Sequence, residues 1–258
     1  MSRRRHFVIL IGGPGTFEAC DREHDQTWSN YIVPIQVATQ KKQLDVAPNE
    51  QVHWWVYGPA YRDRWKDDVA DTKDPRLDRG RNLLDSRQKG VDKVLSAGAG
   101  DYLDRIKRFA GTVKADFLAI ESPADFWKQL GALPAGSVSR LWYIGHASES
   151  GLMLKLIHTE SGCQPAASEA DMIKIQDIGG NSPLITSKLA KDGKPSRFYG
   201  CHTQNFAEQW NSLFGTAAQG AIRKIDFGLV DQPSKTTEVL RRLEDGAGWQ
   251  SYPATGSH

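Results

Sequence analysis

Four runs of β-branched and aromatic residues in this chain each stop at a glycine: His6–Ile11 before Gly12, Gln51–Tyr57 before Gly58, Leu141–Ile144 before Gly145, and Arg197–Tyr199 before Gly200. A short, near-continuous apolar run of this kind suits a strand buried on both faces, and such strands belong to parallel sheets covered by helices. Helical spacing between the runs agrees. Val91, Val94 and Leu95, then Tyr102, Leu103, Ile106 and Phe109, mark a helical stretch over Val91–Ala110. The expected fold is therefore α/β: a mostly parallel central sheet flanked by helices on both faces. No repeat or low-complexity linker marks a boundary, so residues 1–258 are read as one domain.

Local signals fill in the elements. Trp28, Tyr31, Ile32, Ile35 and Val37 give a helix over Thr27–Gln40 that Pro34 must start or bend. In the segment 62–89, 16 of 28 residues are charged with both signs interspersed, which predicts a solvated excursion. Asp116–Ile120 is a further strand. Ser122-Pro123-Ala124-Asp125 then opens a helix, with a hydroxyl cap, proline in the first turn and a carboxylate at the third position. Strands are expected over Gly151–Ile157 and Met172–Ile178, a small helix over Ser182–Leu189, and a strand over Ala221–Val230. Asn205-x-x-Glu208 fits a capping box for a helix carrying Phe206, Trp210, Leu213 and Phe214, which Gly215 ends. Thr236–Leu243 is read as a last helix and 249–258 as an irregular tail.

Charge excludes some partners. With 33 basic and 31 acidic residues the net charge is +2, which gives no reason to expect nucleic acid or a membrane surface. Cys20, Cys163 and Cys201 are an odd number without paired spacing, so no disulfide framework is expected and a cytoplasmic, reducing location follows. Three arginines precede an apolar run of only five residues, Phe7–Ile11, too short for an export signal. Gly12-Gly13-Pro14-Gly15 lacks the lysine and hydroxyl of a nucleotide phosphate loop, and no His-Glu-x-x-His helix is present. Cys20 and His24 share a helix face without a second half-site. No cofactor or metal is called for, and the sequence does not specify the oligomeric state.

Chemistry concentrates at two of the glycines. Gly145 is followed by His146 and Gly200 by Cys201, 55 positions apart. Carboxyl ends of parallel strands are where an open α/β sheet gathers its reacting groups. A thiol attacks as thiolate, which a neighbouring imidazole and the positive end of a helix both favour, and Cys201 precedes a helix start. Backbone amides at Ala147 and Cys201 are candidate donors to an oxyanion. His202 adjoins the thiol, but neighbouring side chains on an extended segment point apart, so it is expected to turn away.

The order strand, Gly-His, strand, Gly-Cys resembles the caspase-like cysteine peptidases, the group of caspases, metacaspases, legumains, gingipains and separases, and Cys201-His202-Thr203 is similar to the metacaspase Cys-His-Ser. The resemblance implies that His146 is the general acid/base, Cys201 the nucleophile and the Ala147 and Cys201 amides the oxyanion hole, acting on a protein or peptide substrate. It implies also that the position two before the cysteine, here Tyr199, helps select the substrate, with Gly145 a further candidate contact. The chain departs from the group in having Ala147 where glycine follows the histidine, and Tyr199 where glutamine or aspartate stands. Alternatives are an inactive member serving as a binding scaffold, and a thiol amidase or acyltransferase on a non-protein substrate.

Overall fold

The computed structural model describes residues 4–14, 28, 30–40, 42–70, 100–158, 165–166, 168–225, 227 and 239–255. Cys20, His24, Cys163, most of the charged excursion (71–89) and residues 91–99 lie outside them.

Seven strands form the main sheet: β1 (Arg5–Ile11), β2 (Glu50–Tyr57), β3 (Asp116–Ile120), β4 (Val138–Ile144), β10 (Ser196–Tyr199), β11 (Ala218–Ala221) and β12 (Trp249–Tyr252). Their order is β12-β11-β10-β4-β1-β2-β3, and every pair is parallel except β11 with β12. Alternate residues of β1 face opposite cores, as burial on both faces requires: Phe7, Ile9 and Ile11 on one side, Val8 and Leu10 on the other. The first core is roofed by α1 (Ile32–Gln40), α3 (Tyr102–Thr112) and α7 (Val239–Ala247), and the second by α4 (Pro123–Ala132), α5 (Ile175–Ile185) and α6 (Gln204–Phe214). The helix α2 (Gly58–Ala70) leaves the carboxyl end of β2 directly, so the first part of the charged segment is helical. A small antiparallel sheet of β5 (His146–Ser148), β6 (Gly151–Met153) and β9 (Met172–Lys174) stands beyond β4, and β7 (Ile157–His158) pairs with β8 (Pro165–Ala166).

Local chemistry sets several boundaries. Helix α4 begins as its sequence demands, with Ser122 Oγ accepting from the Asp125 amide at 3.0 Å. Helix α3 starts at Tyr102 behind Asp101, whose carboxylate accepts from the Asp104 amide. Four expectations are corrected. Residues 175–178 are helical rather than extended, because Asp177 accepts from the Lys174 amide and caps α5 there. Pro183 lies inside that helix instead of opening one; it has no N–H for the Gly179 carbonyl, and the Ser182 hydroxyl donates to that carbonyl instead, at 2.9 Å. Of the strand expected over Ala221–Val230, Ala221 ends β11 (Ala218–Ala221), residues 222–225 are not in a strand, and 226 and 228–230 lie outside the described residues; small residues are needed in β11, since a Cβ on Gly220 would stand 2.4 Å from the Thr203 carbonyl oxygen. Residues 249–252 form the edge strand β12 rather than an irregular tail, held by Trp249 against Tyr199 with ring centroids 5.0 Å apart.

The amino edge of the sheet is polar. Arg140 on β4 and Glu50 on β2 form an ion pair at 2.8 Å with side chains only 3% and 2% exposed. The guanidinium lies over the Phe7 ring at 3.8 Å, and the Ser139 hydroxyl donates to the same carboxylate. Beside them His6 Nδ1 and His53 Nε2 are 2.8 Å apart, with Asp116 3.5 Å from the other nitrogen of His53.

Candidate active site

Strands β4 and β10 run side by side with Trp142 opposite Arg197, Tyr143 opposite Phe198 and Ile144 opposite Tyr199. Just beyond these pairs the Gly145 amide donates to the Tyr199 carbonyl at 3.1 Å; the chain then passes through His146 into β5 on one side and through Cys201 into the turn before α6 on the other. A Cβ on Gly200 would come within 2.6 Å of Ala147 Cβ and 3.1 Å of the Gly145 carbonyl, so glycine at 200 lets the two strand ends close up. The structure thus brings His146 and Cys201 to neighbouring carboxyl ends of the sheet.

Cys201 is a free, half-buried thiol in the turn between β10 and α6. Thr203, fully buried, shapes that turn: its hydroxyl lies 2.6 Å from the Phe198 carbonyl and 3.1 Å from the Gly200 carbonyl, and accepts from the Ala221 amide at 3.0 Å. The hydroxyl therefore stitches β10 to β11 and does not cap α6, and the expected Asn205–Glu208 box is replaced by a helix whose N-cap is Thr203. Among the described residues the Cys201 amide donates to no carbonyl, which leaves it available to an oxyanion. His202 does turn away, but by another route than strand alternation: it takes a left-handed φ of 57°, and its Nδ1 sits 3.0 Å from the Ile222 carbonyl.

His146 opens β5 and is half-buried. Its ring meets Tyr31 edge to face, centroids 5.3 Å apart, and its Nε2 is shut off from solvent. Ala147 pairs with Leu152 in the β5–β6 ladder, and its methyl contributes to the second core. Below them Tyr143 is fully buried. Its hydroxyl lies 2.5 Å from the His146 carbonyl and 2.8 Å from that of Met153. Burial holds this phenol well above its ordinary pKa, and negative charge on Cys201 pushes it the same way, so it stays a donor.

Two candidate contacts fall elsewhere. Tyr199, read as helping to select the substrate, has no exposed surface: its ring packs on Trp142 and Trp249, and its hydroxyl donates to Glu244 at 2.9 Å beside Arg197. Strand alternation turns it into the first core, beneath the edge a substrate would meet. Gly145 is also buried and serves the closure of the strand ends, since a Cβ there would sit 2.5 Å from the Tyr143 hydroxyl oxygen. At the end of β1 the Gly12 and Gly13 amides donate to the Ile144 and Leu154 carbonyls, so neither of these two N–H groups is turned to a phosphate. A cavity of about 520 Å³ lined by Lys42, Leu44, Val52 and Lys114 opens at the opposite, amino end of the sheet and touches none of these residues.

Tyr31, Tyr143 and Thr203 are neighbours of the candidate residues His146 and Cys201 that sequence reading passed over. All three carried ordinary signals, a helix-face aromatic, a strand aromatic and a hydroxyl before a helix, that differ in no way from core or cap residues.

Fold and site together define a class: an α/β protein with a mostly parallel sheet in which His146 and the free thiol of Cys201 come just after two adjacent strands, β4 and β10. No family model matches the chain, and no curated protein matches it. Among the described residues no group of His, Cys, Asp or Glu is arranged to hold a metal ion, and no helix is long and apolar enough to cross a membrane.

Proposed function

We propose that this chain is a cysteine peptidase of caspase-like organisation, hydrolysing peptide bonds through His146 and Cys201 in a reducing, cytoplasmic setting. The observation that carries the reading is the parallel β4–β10 pairing, whose two strands each end one glycine before His146 and Cys201. In the reaction, the thiol proton passes to His146 and the sulfur attacks the scissile carbonyl. The tetrahedral oxyanion is received by the Cys201 amide, with the Ala147 amide as second donor, and the start of α6 adds favourable potential. His146 then delivers the proton to the leaving amine. Water, deprotonated by the same imidazole, releases the acyl group and restores the thiol.

The test is exposure of a denatured proteome peptide mixture to the wild type and to Cys201→Ala, reading new termini by mass spectrometry. New termini confined to the wild type and sharing a residue before the cut support the reading and supply the specificity. An untouched mixture, together with an alkylation rate at Cys201 no faster than that of a free cysteine, overturns it.

A further inference from the structure

Tyr143 has a geometry that ordinary core packing does not ask for. In an extended strand, residues three apart are separated by about 10 Å, beyond the reach of a tyrosine hydroxyl toward a carbonyl further along its own chain. Here the hydroxyl of Tyr143 meets the carbonyl of His146, so the chain must fold back over the ring immediately after β4. Two glycines make room for it: a Cβ on Gly145 would lie 2.5 Å from the phenolic oxygen, and one on Gly12 would lie 3.0 Å from it. The second acceptor, the Met153 carbonyl, belongs to the residue that pairs with His146 across β5 and β6. One buried hydroxyl therefore holds the first rung of the small sheet at the residue that carries the imidazole.

Resting on the dyad reading above, we propose that the Tyr143 hydroxyl is the positioning group of the site: it fixes the His146 backbone, and with it the placement of the imidazole relative to Cys201. The ring of Tyr143 belongs to the core; the oxygen belongs to the site. Tyr31, edge-on to the imidazole, limits ring rotation from the first-core side, while Tyr143 fixes the backbone from the second. A hydroxyl that stays protonated across the working range is suited to this, since it keeps donating whatever the charge on the pair.

The experiment measures the rate of Cys201 alkylation by iodoacetamide against pH for the full chain, its Tyr143→Phe variant and its His146→Ala variant. With peptide substrate unnecessary, the readout reports the imidazole–thiol relation itself. In Tyr143→Phe the rate near neutral pH is expected to fall on the order of tenfold toward that of His146→Ala, while the rates converge at high pH where every thiol is ionised. A Tyr143→Phe profile that overlays the wild type, with only the melting temperature lowered, overturns the proposal and leaves the dyad standing. A His146→Ala profile that overlays the wild type overturns the dyad and this proposal together. If Tyr143→Phe does not fold, Gly145→Ala, whose new methyl displaces the same hydroxyl, takes its place with the same expected fall; an unchanged profile there overturns the proposal.

Discussion

Acidification is expected to weaken the amino edge of the sheet through His53. Its imidazole has only 12% of its side chain exposed and stands 2.8 Å from that of His6, so the two rings share one proton between facing nitrogens. Burial, and then the charge of His6, bring the His53 pKa down from 6.5 to about 4, against a smaller upward pull from Asp116. In the unfolded chain the histidine binds its proton near pH 6.5; in the folded chain it does so only near 4. The unfolded state therefore holds more protons in that window, and stability rises with pH across it. The contribution is complete above about pH 6.5 and is lost as pH falls through about 4, amounting to about 3 kcal/mol at 1.36 kcal/mol per unit. Urea unfolding of the wild type and of His53→Gln at a series of pH values checks this. Glutamine keeps a donor and an acceptor but does not titrate, so its unfolding free energy should fall less on acidification, by about 3 kcal/mol. Parallel decline of the two proteins would refute the reasoning.

Three further outcomes follow from contacts described above. Glu50→Gln removes the carboxylate from a guanidinium with almost no solvent access and should cost about 3–5 kcal/mol in urea unfolding, whereas replacing both partners, as Glu50→Leu with Arg140→Met, should cost clearly less. Thr203→Val keeps the shape but deprives the Ala221 amide and two carbonyls of a partner; a loss of about 2 kcal/mol is expected by calorimetry, with Thr203→Ser retaining most of the stability. Gly200→Ala drives a methyl into that of Ala147 and should lose about 1–3 kcal/mol, part of which Ala147→Gly restores; additive effects in the double-mutant cycle would contradict the contact.

The strands most legible are those whose residues answer to burial on both faces. His6–Ile11 and Val138–Ile144 carry apolar density that no other element explains, and the glycine after each marked where the strand stops; Asp116–Ile120, at the sheet edge, was legible by its short apolar run alone. That His146 and Cys201 follow neighbouring parallel strands was legible for the same reason: each comes after the glycine that ends its strand. Strand β11 was not, because its Ala-Gln-Gly-Ala is chosen by the close approach of the Thr203 backbone and not by β propensity. The start of α5 was hidden because Ser182-Pro183 mimics a helix opening, whereas Asp177, six residues earlier in the chain than Pro183, supplies the cap. Tyr199 was misplaced because a motif position says which residue precedes a cysteine, while strand alternation decides which face it takes. Tyr143 read as one more core aromatic, since nothing in a sequence shows that a hydroxyl three residues back will meet a carbonyl after a bend.

The antiparallel last strand also settles how this sheet ends. An Ala-Gln-Gly-Ala strand has neither bulk nor charge with which to turn away a stranger, and left bare it would offer its hydrogen-bonding edge to any extended segment nearby. β12 occupies that edge with the chain's own Trp249–Tyr252, pairing all four β11 residues and turning Gln250 and Ser251 to solvent. The outer edge on that flank is thereby moved to a strand of only four residues, and β10, which leads to Cys201, lies two strands inward, with its β11 neighbour already paired.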